Sequence, residues 1–159
     1  PQILILLAST FSFSQNNISD ILKKYNSKNI PYISVQELAM PKTQAILLDA
    51  REAKEYNTSH IKNAIHIGYD YFDIGIVSEI IKNKDELIVV YCSIGIRSEN
   101  IAKKLKKAGY TNVYNLYGGL FEWVNKGGEL FLANKRTQKV HAYSKKWGAY
   151  LTEGIKVYE

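Results

Sequence analysis

Cys92 is the single cysteine of the chain, and it stands where an apolar run meets a short loop, in Val89-Val90-Tyr91-Cys92-Ser93-Ile94-Gly95-Ile96-Arg97-Ser98. Glu86 to Tyr91 predicts a strand that is apolar on both faces, as a central parallel strand must be. A helix is expected directly after the loop. A thiol between the carboxyl end of a buried strand and a helix N-terminus meets backbone N–H groups and the positive end of a helix dipole. Both favour the thiolate, which makes Cys92 a candidate nucleophile at neutral pH. Gly95 suits a turn that needs a positive φ. Arg97 could fork onto a phosphate, sulfonate-like or persulfide anion. From residue types alone the competing expectation stands beside this one: a lone Cys after an apolar strand is commonly a small buried hydrophobe.

The elements that position this thiol follow from composition and periodicity. With 159 residues, 46% hydrophobic and 23% charged, the chain can bury one core and is too short for two. One cysteine excludes an intramolecular disulfide, a Cys-x-x-Cys redox pair and a Cys-rich zinc site, so no metal or cofactor is expected. The net charge of +6 suits an anionic partner or simple solubility. We expect no nucleic-acid partner.

Strand and helix signals alternate along the chain. Residues 18–27 predict an amphipathic helix, 30–34 a strand, and 35–40 a brief helix capped by Ser34. Residues 45–49 and 64–67 read as strands, 52–57 as a helical turn, and 76–82 as helical. After the loop, Ile101, Ala102, Leu105 and Ala108 line one face of a helix that Gly109 stops, with the lysines between them mostly facing solvent. Residues 112–116 form a further strand, and Gly118-Gly119 turns into a short helix through Trp123. This alternation predicts an α/β fold with a mainly parallel central sheet flanked by helices.

Four separated motifs resemble the rhodanese family of sulfurtransferases between about residues 33 and 127. They are Asp49-Ala50-Arg51 with Glu55-Tyr56; Ser59-His60-Ile61-Lys62-Asn63-Ala64, where Ser59 and Asn63 replace two glycines of the family pattern; Cys92 to Arg97, similar to its Cys-x-x-Gly-x-Arg loop; and Gly118-Gly119 through Trp123. The resemblance implies helices on both faces of the sheet and a Cys92 that takes a sulfane sulfur from a small anionic donor such as thiosulfate. The persulfide would pass it to cyanide, a thiol or a protein acceptor. Carried over, Ser93, Ile94, Gly95, Ile96 and Arg97 bind substrate through their amides, Arg97 also helping to bind the anion, while Asp49, Arg51 and His60 brace the site. Alternatives from the same resemblance are a binding or regulatory module with incidental catalysis, and a Cys-dependent phosphatase. Four residues between Cys92 and Arg97, rather than five, make a cradle small for a phosphate ester.

The flanks carry their own expectations. Residues 1–14 read as a partial signal peptide, with Ser12-Phe13-Ser14 before Gln15 as its cleavage pattern and a basic leader expected ahead of Pro1. The mature protein is then exported, periplasmic or secreted, a monomer with no membrane contact. Residues 15–30 form an N-terminal helical segment, 31–127 the domain, and 128–159 an extension packed on it. Val140, Tyr143, Trp147, Tyr150 and Leu151 recur near one side of a helix, so the extension is expected to be helical over 145–153, with Trp147 docking and His141, Lys145 and Lys146 facing solvent.

Overall fold

The computed structural model describes residues 17–158, so the signal-peptide segment lies outside the described residues. Five short strands, β1 (Tyr32–Ile33), β2 (Ile46–Asp49), β3 (Ile65–His66), β4 (Ile88–Tyr91) and β5 (Val113–Leu116), form one sheet in the order β1-β5-β4-β2-β3. Every pair in it is parallel.

The central strand β4 explains the two-layered core. Its residues alternate between faces. Val89 and Tyr91 join a cluster with Ile18 and Leu22 of α1 (Ile18–Tyr25), Val35 and Leu38 of α2 (Val35–Leu38), and Leu120 and Phe121 of α6 (Gly119–Asn125). Ile88 and Val90 join the opposite cluster, with Val77 of α4 (Ile74–Ile80) and Ile101, Ala102 and Leu105 of α5 (Arg97–Lys107). A strand covered on both faces has no polar side, which is why its sequence is a continuous apolar run. The short α2 is held by a capping box, Ser34 with Glu37, and α3 (Ala53–Tyr56) leads away from β2. Among the described residues no helix is long and apolar enough to cross a membrane.

The C-terminal extension differs from the helical expectation. It holds a hairpin of β6 (Leu130–Leu132) and β7 (Lys135–Thr137), a parallel pair of β8 (Lys139–His141) and β9 (Ile155–Val157), and only one helical turn, α7 (Lys145–Gly148). Ser144 does cap α7, its side chain accepting from Trp147 N. The helix stops early because the Asn125 side chain takes over the backbone beyond it. Asn125 Oδ1 accepts from Thr152 N and Glu153 N at 2.8 and 3.3 Å, and its Nδ2 donates to Tyr150 O at 2.9 Å. Residues 155–157 then find a ladder on β8, which suits the β-branched Ile155 and Val157 better than a helix. The hairpin turn sets Ala133 and Asn134 at φ 47° and 62°, the left-handed pair that a two-residue hairpin loop requires.

The extension is part of the core all the same. Val140, Ala142 and Leu151 are buried in the cluster that holds Val89 and Tyr91. His141 is also fully buried, which corrects the expectation that it faces solvent. It lies in a strand next to Val140 and Ala142, not on an exposed helix face.

Candidate active site

The loop after β4 wraps around the sulfur of Cys92, a residue only 2% exposed. Gly95 N donates to Sγ at 3.1 Å, and Ser98 Oγ lies 3.5 Å from it. Gly95 adopts φ +112°, as the sequence predicts for this turn, and a Cβ there would press on Leu116 O at 3.3 Å. The loop is held from behind: Asn115 Nδ2 and Asn26 Nδ2 both donate to Gly95 O at 2.8 Å. Ser27 N and Oγ both donate to Glu99 Oε1, tying the segment after α1 to α5. Gly119 admits the loop from the front. At φ +57° its Cβ would sit 2.8 Å from Ser93 C and 2.9 Å from Ile94 N, so only glycine lets α6 approach this closely.

Burial pushes the Cys92 thiol up, but the Arg97 charge and hydrogen bonds from Ser98 and Gly95 outweigh it and hold the thiol below its ordinary range. The reactive reading of the lone cysteine therefore has its electrostatic basis in this loop.

Arg97 sits beside the sulfur yet spends its fork on a carboxylate. Its Nη1 and Nη2 donate to Glu55 Oε2 and Oε1 at 2.8 and 2.7 Å, and Nη2 also donates to Ser93 Oγ at 3.1 Å. Ser93 Oγ in turn donates to Glu55 Oε1 at 2.8 Å. The Glu55 side chain is 0% exposed; burial would raise its pKa, but the Arg97 hydrogen bonds and charge, with Arg51, bring it down to about 2. Sequence reasoning placed Glu55 in a motif without giving it this role. Its signal was only the resemblance, since 42 residues separate it from Arg97.

Asp49, Arg51 and His60 lie behind and beside the loop rather than in the pocket at Cys92. Arg51 and Asp49 form a fully buried pair, with Arg51 Nη2 donating to Asp49 Oδ2 at 2.6 Å and to Ser59 O at 2.7 Å. The guanidinium stacks over the Tyr91 ring, whose hydroxyl accepts from Ile61 N at 3.2 Å. His60 stacks flat on Tyr56, its Nδ1 donating to Tyr56 O at 3.0 Å, and takes no part in lining the pocket at Cys92. The two replaced glycines have distinct outcomes. Asn63 keeps a left-handed φ of 62°, which Asn tolerates. Ser59 uses its hydroxyl to donate to Lys139 O at 2.6 Å, and His60 pairs with Phe131 by two backbone bonds, so this loop anchors the extension.

That anchorage carries the extension over the thiol. A pocket of about 140 Å³ opens on Cys92, walled by Ile94, Ile96 and Arg97 of the loop and by Tyr143 and Trp147 of the extension. The Tyr143 ring lies 5.0 Å from the Arg97 guanidinium carbon. Trp147 packs edge-on against Tyr25 of α1. Docking of Trp147 was legible in the sequence; its place at the pocket was not. Among the described residues no cluster of three or more His, Cys, Asp or Glu side chains could hold a metal ion.

The Rhodanese-like domain family matches residues 34–126, which include Asp49, Arg51, His60 and the loop from Cys92 to Arg97. The chain belongs to the rhodanese-like family. Solved relatives share its architecture: a rhodanese-related protein from Thermoplasma volcanium superimposes with a TM-score of 0.56 at 25% identity, covering 64% of this chain and 98% of that one. A thiosulfate sulfurtransferase from Pseudomonas aeruginosa gives 0.61 at 23% identity, covering 84% of this chain and 25% of that one, a likeness of fold. Among curated proteins, the tRNA uridine(34) hydroxylase of Sodalis glossinidius is 34% identical over 115 residues, 70% of this chain and 33% of that protein. The enzyme of the same name from Photorhabdus laumondii is 28% identical over 134 residues, 81% of this chain and 38% of that protein. The chain thus spans about a third of the length of these relatives.

Proposed function

We propose that this rhodanese-like protein is a sulfurtransferase that carries a sulfane sulfur on Cys92. The observation that supports it is a single sulfur held at the end of the central strand by Gly95 N, with Arg97 and Ser98 keeping it toward thiolate. The thiolate attacks the outer sulfur of a donor such as thiosulfate; an S–S bond forms to Sγ, the donor S–S bond breaks, and sulfite leaves with the electron pair. The acceptor, cyanide or a thiol, then attacks the outer sulfur of the persulfide and the pair returns to Sγ. Sulfur passes at one oxidation level, so the cycle needs no oxidant. Loop amides facing Sγ are placed to hold the charge of the persulfide. Intact-protein mass spectrometry after exposure to thiosulfate tests this: one sulfur atom should be gained, and lost again on adding cyanide. No gain on Cys92 would favour a binding module.

A second reading takes the chain as a part of a tRNA-modifying protein, which the names of its curated relatives and the net charge of +6 favour. Retention of tRNA that weakens steeply with added salt would support it, because phosphate contacts release counterions.

A further inference from the structure

The pocket at Cys92 has walls suited to a flat apolar group. Its one cationic side chain is already matched by the buried Glu55 carboxylate through two short hydrogen bonds. Of the other walls, Ile94, Ile96 and the rings of Tyr143 and Trp147 present carbon, and the Ser93 hydroxyl is engaged with Glu55. At about 140 Å³ it has room for a group of about the size of a benzene ring.

The two rings are held there deliberately. Tyr143 adopts φ +65°, a left-handed conformation that a bulky residue reaches only when its surroundings enforce it. The enforcement is local: Tyr143 N donates to Nδ1 of the buried His141 at 3.1 Å, and Ser144 N donates to Ala142 O at 2.8 Å. Burial lowers the pKa of His141, opposed by Glu55 and helped by Lys54, Arg51 and Arg97, which favours the neutral ring whose Nδ1 can accept. Tyr143 is still 47% exposed, with Arg97 over its ring at 5.0 Å. Trp147 is fixed from behind by Tyr25 and Tyr150, at ring-centre distances of 6.2 and 6.1 Å.

We infer that Tyr143 and Trp147 are specificity-determining residues that select, as sulfur acceptor, a thiol whose body is a flat, uncharged group of about the size of a benzene ring. The inference rests on the sulfurtransferase reading and names the acceptor class for that same site. The acceptor enters as thiolate, its sulfur attacks the outer sulfur of the Cys92 persulfide, the new S–S bond forms on the acceptor, and the Sγ–S bond breaks with its pair returning to Cys92. The rings hold the body of the acceptor while its sulfur lies toward the loop.

The test begins with Cys92 loaded as persulfide and verified by mass, then follows its discharge by benzyl mercaptan and by 2-mercaptoethanol, thiols of similar acidity. Benzyl mercaptan should be faster by about tenfold, the gain of stacking and burying one ring. Tyr143→Asn, chosen because Asn tolerates the left-handed φ, and Trp147→Leu should each lower that ratio toward one, while Tyr143→Phe should keep it. A thermal melt of each variant checks that it is folded. Failure of Cys92 to load would overturn the sulfurtransferase reading and this inference with it. Normal loading followed by a ratio near one in the unaltered protein, or a ratio unchanged in Tyr143→Asn and Trp147→Leu, would overturn the inference alone.

Discussion

Replacing Glu55 by Gln should destabilise the protein strongly at neutral pH and far less in acid. Gln is the isostere of the protonated acid, so the substitution removes the charge and little volume. The Glu55 carboxylate is fully buried and accepts from Arg97 twice and from Ser93 and Glu52 N once each, the last at 3.0 Å. Its pKa falls from 4.5 in the unfolded chain to about 2 in the fold. At 1.36 kcal/mol per unit that difference is worth about 3 kcal/mol. Loss of one member of a buried pair costs about 3–5 kcal/mol, in agreement. Because the folded pKa is depressed, the contribution is fully present above the unfolded value of about 4.5 and is lost as pH falls toward about 2. Urea unfolding of the two proteins should give a gap of about 3 kcal/mol at pH 7, or about 6–12 °C in melting temperature, shrinking to about 1 kcal/mol at pH 3. A gap below about 1 kcal/mol at pH 7, or one equally large at pH 3, would refute the assignment of Glu55 as a buried ionised partner of Arg97.

Cys92→Ser should abolish sulfur uptake from thiosulfate while leaving the melting temperature within a few degrees, since it removes the nucleophile and almost no volume; turnover with cyanide as acceptor checks it. Ser98→Ala removes a hydroxyl 3.5 Å from Sγ whose proton is shared with Asn115 Oδ1 at 2.7 Å, so Cys92 should titrate higher and alkylate more slowly at neutral pH, as followed by iodoacetamide labelling across a pH series. Leu151→Ala should cost about 2–5 kcal/mol in urea unfolding although it lies outside the family-matched segment, because its side chain is buried in the main cluster. Asn125→Ala removes three hydrogen bonds to residues 150–153 and should expose that segment to faster amide exchange, leaving the exchange of β4 unaltered.

Much of the domain was legible because its signals are local. The run from Leu87 to Val90 announces a strand buried on both faces, Gly109 stops the helix that follows, and Ser34 caps the brief helix after β1; each report concerns an element and its own neighbours. The extension was misread for the same reason. The spacing of Val140, Tyr143, Trp147, Tyr150 and Leu151 fits one side of a helix, yet Val140 lies in a strand, Tyr143 sits in a left-handed turn, and Asn125 captures the backbone after Tyr150. A short periodic stretch cannot show which distant side chain will compete for its backbone groups.

From the sequence alone came the single thiol, the four-residue interval to Arg97, the glycine that its turn needs, and the parallel strand whose carboxyl end delivers it. Spacing and hydropathy set these, because they depend on the dihedral freedom and burial of contiguous residues. Tertiary structure alone decided that Arg97 is paired with Glu55, that Ser59 pins the extension to the domain, that His141 is buried, and that Tyr143 and Trp147 wall the pocket. Those partners are 42 residues from Arg97, 80 from Ser59, and about half a hundred from Cys92, and only the folded sheet sets such groups at contact distance, where hydrogen bonds and ring contacts have their short reach.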